Sequence, residues 1–572
     1  MKHGIYIILS ILLSLISATL MSQNFIYVNQ IGYPATATKQ ALVANLTDKT
    51  FYVKDAVSHN DVMKGTVSTG KFWRESNETI SWADFTTLKK SGKYFIKIGN
   101  DKSETFEIQD NGKIYDDLLT AAVKGFYFWR SGMDILPEYA NWKGTNYARK
   151  AGHIDSIVYL HASLTSAKRP ADTELNSHGG WYDAGEYAKY TTNAAITVYT
   201  LLTSYITEYK QYDTLNFNIP ESNNSTPDIL DEVMYELKWM LTMQDPNDGG
   251  VYNKVTPLRF SAFIKPADDK ADRYMIGKTI DCAYDFAATM ALASRVYAGN
   301  KDYPDFSEKA KKAALDAYRF ASKHSEYRPF VNPPDCNTGT YDSESVDDER
   351  FWASCELLIL TGDKKYTENI NLFQIFNVPY WGDVATLGLI SLMLNRDAIS
   401  NALDVNAVEK RFKALADNLL AMYKYQTGKI PLREFVWGSN GQIANSGMIL
   451  ALGKKVMKAD KYTEAAQYCL DYILGCNSTG YCFVTGFGSL SPHFIHDRRC
   501  ATDGIENPIP GYMVGGPNVK QTTDCGRSMY PTSRFAARAY LDEECSYSTN
   551  EPAINWNAPL VFLTAFIRGE YK

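Results

Sequence analysis

Up to residue 109 the apolar positions fall in short runs: Phe25-Ile26-Tyr27-Val28, Ala41-Leu42-Val43, Phe51-Tyr52-Val53, Tyr94-Phe95-Ile96-Lys97-Ile98 and Thr105-Phe106-Glu107-Ile108. Gly, Asn, Asp and Ser separate them, as at Gly99-Asn100-Asp101. Runs of this length and spacing predict short strands, and together an antiparallel β-sandwich. From about residue 113 the apolar positions recur instead at three- and four-residue spacing, the period of an amphipathic helix. The clearest case opens at Thr226-Pro227-Asp228. Thr226 is expected to cap it, Pro227 to take the first helical position, and Asp228, Asp231 and Glu232 to meet the positive end of the dipole. Leu230, Val233, Met234, Leu237, Met240 and Leu241 then mark one face. Similar runs lie near 115–130, 191–208, 281–298, 308–323, 351–361, 383–395, 407–424, 443–457, 462–475 and 554–567. Eleven helices are therefore expected, with loops rather than strands between them. No fixed-period repeat is visible, which weighs against a solenoid and leaves a bundle or a closed helical barrel.

The first 22 residues follow another pattern. Lys2 and His3 precede an apolar stretch from Ile5 to Ile16, and small residues follow at Ser17, Ala18, Thr19 and Ser22. This order predicts a secretory signal peptide over 1–22 and export to the periplasm or beyond. The stretch is shorter than the ~20 residues that span a bilayer, and no other is long and apolar enough, so no membrane span is expected after its removal. The expected division is then 1–22 signal peptide, 23–109 β-sandwich and 110–572 helical domain.

With 59 basic and 65 acidic residues and no basic run, nucleic acid is not an expected partner. The 13% aromatic content suits either a large core or the binding of flat, neutral ligands such as sugars. All nine cysteines lie at or after Cys282. An odd count leaves at least one thiol unpaired. Cys282 and Cys355 sit in apolar helical runs as core residues, and without a CxxC a clustered zinc site has little support.

Two segments carry candidate chemistry. Gly179-Gly180-Trp181-Tyr182-Asp183-Ala184-Gly185-Glu186-Tyr187 sets two carboxylates three residues apart among glycines and aromatics. Such a pair can converge on one water, one taking its proton and the other orienting it. It could equally hold Ca²⁺ or form a solvated turn. Near the C-terminus, Glu551 precedes Pro552 and an apolar run, with Tyr547 and Trp556 on either side. Exposed, it would be a first-turn acid; buried among those aromatics, it would keep its proton and serve as a general acid. A base pair in one place and an isolated acid in another suits glycosidic-bond hydrolysis.

These segments resemble glycoside hydrolase family 9, the cellulases and related β-glucanases. The resemblance runs through Val28-Asn29-Gln30-Ile31-Gly32-Tyr33, Ile219-Pro220-Glu221-Ser222, Phe483-Val484-Thr485-Gly486-Phe487-Gly488, Ser491-Pro492-His493-Phe494-Ile495-His496-Asp497-Arg498 and Tyr540 to Ala558. It implies an N-terminal immunoglobulin-like β-sandwich followed by an all-α (α/α)6 barrel. It also implies inverting hydrolysis of β-1,4-glucosidic bonds with no cofactor for the chemistry. Glu551 would be the acid, and Asp183 and Glu186 the water-activating pair. His496 and Arg498 would contact sugar hydroxyls, and Asp542 would hold the histidine region; His496 and Asp542 are grouped with the catalytic residues. Trp437 and Tyr547 would wall a sugar subsite, and Trp181 is counted with them. A structural calcium is implied, with Asp348, Glu349 and Asp383 as its ligands.

The family usually has aspartate where Glu186 stands, so either the loop compensates, Asp183 has become the base, or activity is weakened. Leu490 replaces a usually polar residue near the sugar sites. The expected activity is an endo-β-1,4-glucanase on soluble glucans such as mixed-linkage glucan, xyloglucan or amorphous cellulose, acting as a monomer. An exo-acting β-glucosidase or glucosaminidase on the same scaffold, or an impaired glucan-binding protein, are the alternatives.

Overall fold

The computed structural model describes residues 25–571 apart from 171–172, 214, 325, 521–522 and 531–534. The expected signal peptide lies outside the described residues.

The N-terminal strands form two sheets. One pairs 26–27, 40–44, 78–84 and 71–73 in that order. The other runs 32–34, 106–109, 92–98, 50–55 and 61–66, with 101–102 paired beside 92–98. All pairs are antiparallel except 106–109 with 32–34. The strands at 61–66, 71–73 and 78–84 are absent from the expected set, because their apolar residues are too scattered to form runs.

Side-chain alternation gives the 40–44 strand two different partners. Ala41 and Val43 face the sandwich interior with Phe51, Ile96 and Phe106. Leu42 and Ala44 face outward and join the helical domain's core, as do Tyr27, Trp73 and Ile80. Hydrogen bonds seam the same contact: Gln30 N–H donates to Leu474 O at 2.9 Å and Lys429 Nζ to Gln40 Oε1 at 2.6 Å.

Each expected helix is present: α1 (Asp116–Trp129), α2 (Thr191–Tyr212), α3 (Asp228–Thr242), α4 (Ile280–Val296), α5 (Phe306–Lys323), α6 (Asp347–Thr361), α7 (Ala385–Leu394), α8 (Val405–Tyr425), α9 (Ser439–Met457), α10 (Thr463–Ile473) and α11 (Ile554–Glu570). They form the (α/α)6 barrel, closed where α11 packs on α1, α2 and α9. α4, α7, α9 and α11 are buried over almost their whole circumference, as central helices must be. α5 and α8 keep one polar face.

Two expectations fail here. The connections are not all loops: strands at 174–175, 158–160, 274–278, 252–256 and 189–190 form a five-stranded sheet. Strands of two to five residues are too short to show a period, and this sheet carries the loop of Asp183 and Glu186. At α3, Pro227 takes the cap position and not the first turn. Thr226 does not cap: its hydroxyl donates to Asp302 Oδ2 at 2.7 Å and accepts from Asn300 Nδ2 at 3.0 Å.

Candidate active site

A cleft of about 1300 Å³ is lined by Asp183, Glu186, His496, Arg498, Tyr547 and Glu551, with Trp437 on its wall. Among the described residues none of those lining it precedes Asp183, so the described part of the β-sandwich contributes none. The loop that carries Asp183 and Glu186 enters through Gly179 and Gly180, both in the left-handed region at φ 84° and 79°. Asp183 N–H donates to Ala188 O at 3.0 Å, closing the tip, and Asp183 O accepts from Ile554 N at 3.0 Å, tying the tip to α11.

Gly185 is the junction of the site. Its N–H donates to Glu551 Oε1 at 3.2 Å. Its carbonyl accepts from Arg498 N at 2.9 Å and Arg498 Nη1 at 3.1 Å. A Cβ here would stand 1.8 Å from His496 O, so only glycine lets the three segments meet.

Asp183 has both carboxylate oxygens engaged: Oδ1 accepts from Asn193 Nδ2 at 2.7 Å and Oδ2 from the Tyr341 hydroxyl. Glu186 accepts from Ala188 N–H through Oε2 only. Burial raises the pKa of both, and the Glu186 charge raises Asp183 further, against the Tyr341 and Asn193 hydrogen bonds. The Ala188 N–H and the guanidinium groups of Arg498, Arg273 and Arg499 pull Glu186 back. Glu551 is pushed well above the carboxylate range, by burial first and then by the Glu186 and Asp183 charges, against Arg498. Burial thus favours the protonated form of all three carboxyls, with Asp183 pushed up to about 7 and Glu551 well above the carboxylate range.

The other expected residues divide. His496 Nδ1 donates to Glu544 O at 2.6 Å, which leaves Nε2 for a ligand, and burial lowers its pKa. Trp437 and Tyr547 keep 39% and 40% of their surface exposed, with ring centroids 5.6 Å apart. Asp542 is not on the cleft: it accepts from His493 N and Phe494 N and from Asn550 Nδ2, pinning the histidine segment to the turn before Glu551. Trp181 is a correction. It is 1% exposed, packs on Phe126 at 4.8 Å and donates to Glu232 Oε1 at 2.8 Å, so it belongs to the core and does not line the cleft. Leu490 is another: its N–H donates to Gln30 Oε1 at 3.0 Å, on the β-sandwich side and away from the cleft.

The expected calcium ligands converge only in part: Glu349 lies against Asp348, but Asp348 and Asp383 each accept a hydrogen bond elsewhere. Asp348 Oδ2 accepts from Val384 N at 2.9 Å, Asp383 Oδ2 accepts from Asn377 Nδ2 at 2.9 Å, and Glu349 is buried beside Asp285. Among the described residues no three His, Cys, Asp or Glu side chains are disposed around one ion. Glu349 Oε2 and both Asp285 carboxylate oxygens nevertheless lie buried without a hydrogen-bond partner.

Several cleft residues had no sequence signal. Tyr341 holds Asp183 and stands edge-on to Trp381 at 4.9 Å, yet its segment Gly339-Thr340-Tyr341-Asp342 reads as an ordinary polar loop. Phe260 lines the cleft at 44% exposure, beneath the Arg498 guanidinium at 5.9 Å. The adjacent pair Tyr380-Trp381 also lines it, and two neighbouring aromatics before Gly382 were a usable sign. Cys525 and Cys545 form a disulfide just before Tyr547, and Cys282 and Cys355 are buried free thiols.

Known proteins share this sequence pattern and fold. The sequence model of the cellulase N-terminal ig-like domain matches residues 22–103, and that of glycosyl hydrolase family 9 matches 115–564. A xyloglucan-specific endo-beta-1,4-glucanase of Bacteroides ovatus is 39% identical over 96% of this chain and 94% of its own. Endoglucanase D of Acetivibrio thermocellus is 31% identical over 96% of this chain and 85% of its own. Among solved structures, a Bacteroides ovatus GH9 protein superposes with a TM-score of 0.86 at 38% identity, covering 96% of this chain and 99% of that one. A single mutant of a thermostable endoglucanase from Alicyclobacillus acidocaldarius superposes at 0.85 and 30% identity, with coverage of 96% and 99%. The chain belongs to glycosyl hydrolase family 9, as a glycoside hydrolase of its endo-β-1,4-glucanase kind.

Proposed function

We propose that this chain is an exported, monomeric endo-β-1,4-glucanase that inverts the anomeric carbon, with xyloglucan as its preferred polymer. The observation that carries the mechanism is the meeting of Glu551 with the Asp183–Glu186 loop at Gly185. Glu551, protonated, donates to the leaving glycosidic oxygen. Glu186 takes the proton of the attacking water: one of its oxygens is spent on Ala188 N–H, and the other remains for the water. Asp183, with both oxygens held by Asn193 and Tyr341, aligns the water. His496 and Arg498 contact sugar hydroxyls, and Trp437 and Tyr547 present ring surface to a glucosyl unit.

The xyloglucan preference is supported by the Bacteroides ovatus relative, whose name specifies that polymer. Incubation with xyloglucan, mixed-linkage glucan, carboxymethylcellulose and cellohexaose tests it. Mid-chain products, fastest from xyloglucan, are expected; release of single sugars from chain ends, or binding without cleavage, overturns it. Proton NMR of fresh products should show the α-anomer first; an initial β-anomer would refute inversion.

A structural Ca²⁺ on Asp348, Glu349 and Asp383 is supported by charge and not by the present ligand arrangement, and it enters no catalytic step. It should raise Tm over that in a chelator; equal Tm values would remove it.

A further inference from the structure

Lys189 is fully buried, with 0% of its side chain exposed. Its ammonium donates to Ser177 O at 2.9 Å and Gly179 O at 2.7 Å, and pairs with Asp155 Oδ2 at 2.8 Å. Two backbone carbonyls take its hydrogen bonds and the Asp155 carboxylate balances its charge. The Trp239 ring lies 5.4 Å from Nζ and closes the site. Ser177 and Gly179 are where the chain enters the base loop, and Lys189 is where it leaves. One cation therefore joins the two stems beneath the tip that carries Asp183 and Glu186.

The anchor is itself fixed from outside the loop. Asp155 Oδ1 pairs with Arg273 Nε at 2.8 Å, and Asp155 O accepts from Ser177 N at 2.8 Å. Lys189 is in register with Val255 in the five-stranded sheet, and Arg273 directly precedes the strand 274–278 of that sheet. The entry stem needs such a clamp. Gly179 and Gly180 have no side chains with which to pack, and their left-handed backbone is permissive.

We propose that Lys189 is a positioning residue for hydrolysis: a strap that sets the height of the base loop, and so the reach of Glu186 to the water. This rests on the assignment of Asp183 and Glu186 to water activation. A displacement of about 1 Å at a reacting group can cost ~10²-fold, so loosening the strap should act on turnover more than on binding.

The test uses the full chain on the glucan the parent cleaves best. Lys189→Met should lower kcat by ~10²-fold with KM within about threefold. Lys189→Arg keeps the charge Asp155 needs but cannot set one ammonium between two carbonyls; it should fold and lose about tenfold in kcat. Leu237→Ala, a buried α3 change that removes none of the strap's hydrogen bonds or ion pairs, serves as the control for lost stability; matched for residual Tm by temperature, it should keep kcat within about twofold. Near-parental kcat in folded Lys189→Met or Lys189→Arg overturns the proposal, as does a loss no larger than that of Leu237→Ala. If Lys189→Met does not fold, Lys189→Arg decides. A parent that cleaves no glucan would instead refute the functional reading, before any variant is compared.

Discussion

One methylene is the chemical peculiarity of this site: Glu186 stands where family relatives are expected to carry aspartate. Asp183 and Glu186 stood out as two acids three residues apart among glycines and aromatics, and Glu551 as an acid between Tyr547 and Trp556. Their partners were not, since Asn193 and Tyr341 reach Asp183 only through the fold. Both Asp183 oxygens are occupied, so Asp183→Asn should slow turnover less than Glu186→Gln, which should cost ~10²–10⁴-fold. Glu186→Asp separates two histories. A loop rebuilt around the longer side chain predicts a loss of at least tenfold, near the scale of a ~1 Å retreat; activity at or above the parent's would show that the glutamate is merely tolerated. As the proposed acid, Glu551 has the opposite proton requirement. Burial and the Glu186 and Asp183 charges raise its pKa, so it is protonated and active below that value, and activity falls as pH rises through it. Glu551→Gln should cut kcat by ~10²–10⁴-fold, leave ligand affinity nearly unchanged and remove that alkaline limb from the pH profile. Near-normal turnover in the variant would take the acid's role from Glu551.

At the scale of elements, helices were read well and strands poorly, for a physical reason. α5 and α8 have a buried face and a wet one, which imprints a 3.6-residue period over 18 and 21 residues. The strands 158–160 and 189–190 are too short to imprint anything, and the strand 252–256 is buried throughout, so it does not alternate. Trp181 illustrates a second limit: its sequence position beside Asp183 suggested the cleft, but the pleat of the loop turns it to Phe126 and Glu232. Gly185 looked like a spacer between two acids, and the fold makes it the crossing point of base loop, histidine segment and acid. Gly185→Ala would put a Cβ 1.8 Å from a backbone oxygen of His496, with no flexible atom to yield. The segments must separate, so a folded Gly185→Ala should lose at least ~10²-fold in kcat. A milder loss, measured with Tm within a few degrees of the parent, would mean that the three segments act without this contact.

At the scale of the whole molecule, the two domains share a core and are not joined by a linker alone. Two separate patterns were legible along the chain, but not that the outer face of the 40–44 strand would be apolar and join the helical domain's core. The centre of that contact is polar. Asp471, at the end of α10, is 4% exposed and accepts from Asn29 Nδ2 at 2.8 Å. Burial raises its pKa to about 7, against hydrogen bonds from Asn29 and Gln467 and the charge of Lys39. The sign of the consequence follows from proton counting. Between the unfolded value near ~4 and the folded value near 7, the folded chain binds the extra proton, so stability falls as pH rises through this window. Below the unfolded value Asp471 contributes no pH dependence; above the folded one the full cost of a buried carboxylate is present, on the order of 4 kcal/mol at most. Asp183, Glu186 and Glu551 slope the same way, so the parent's curve alone cannot isolate Asp471. Asp471→Asn can: it keeps an oxygen for Asn29 and removes the titration. Unfolding in urea at a series of pH values from 4 to 8 should show the variant losing less stability than the parent as pH rises. The difference between the two should grow across the window and level off above pH 7. Parallel curves would mean that Asp471 keeps the same charge in both states and that the seam between sandwich and barrel is not proton-linked.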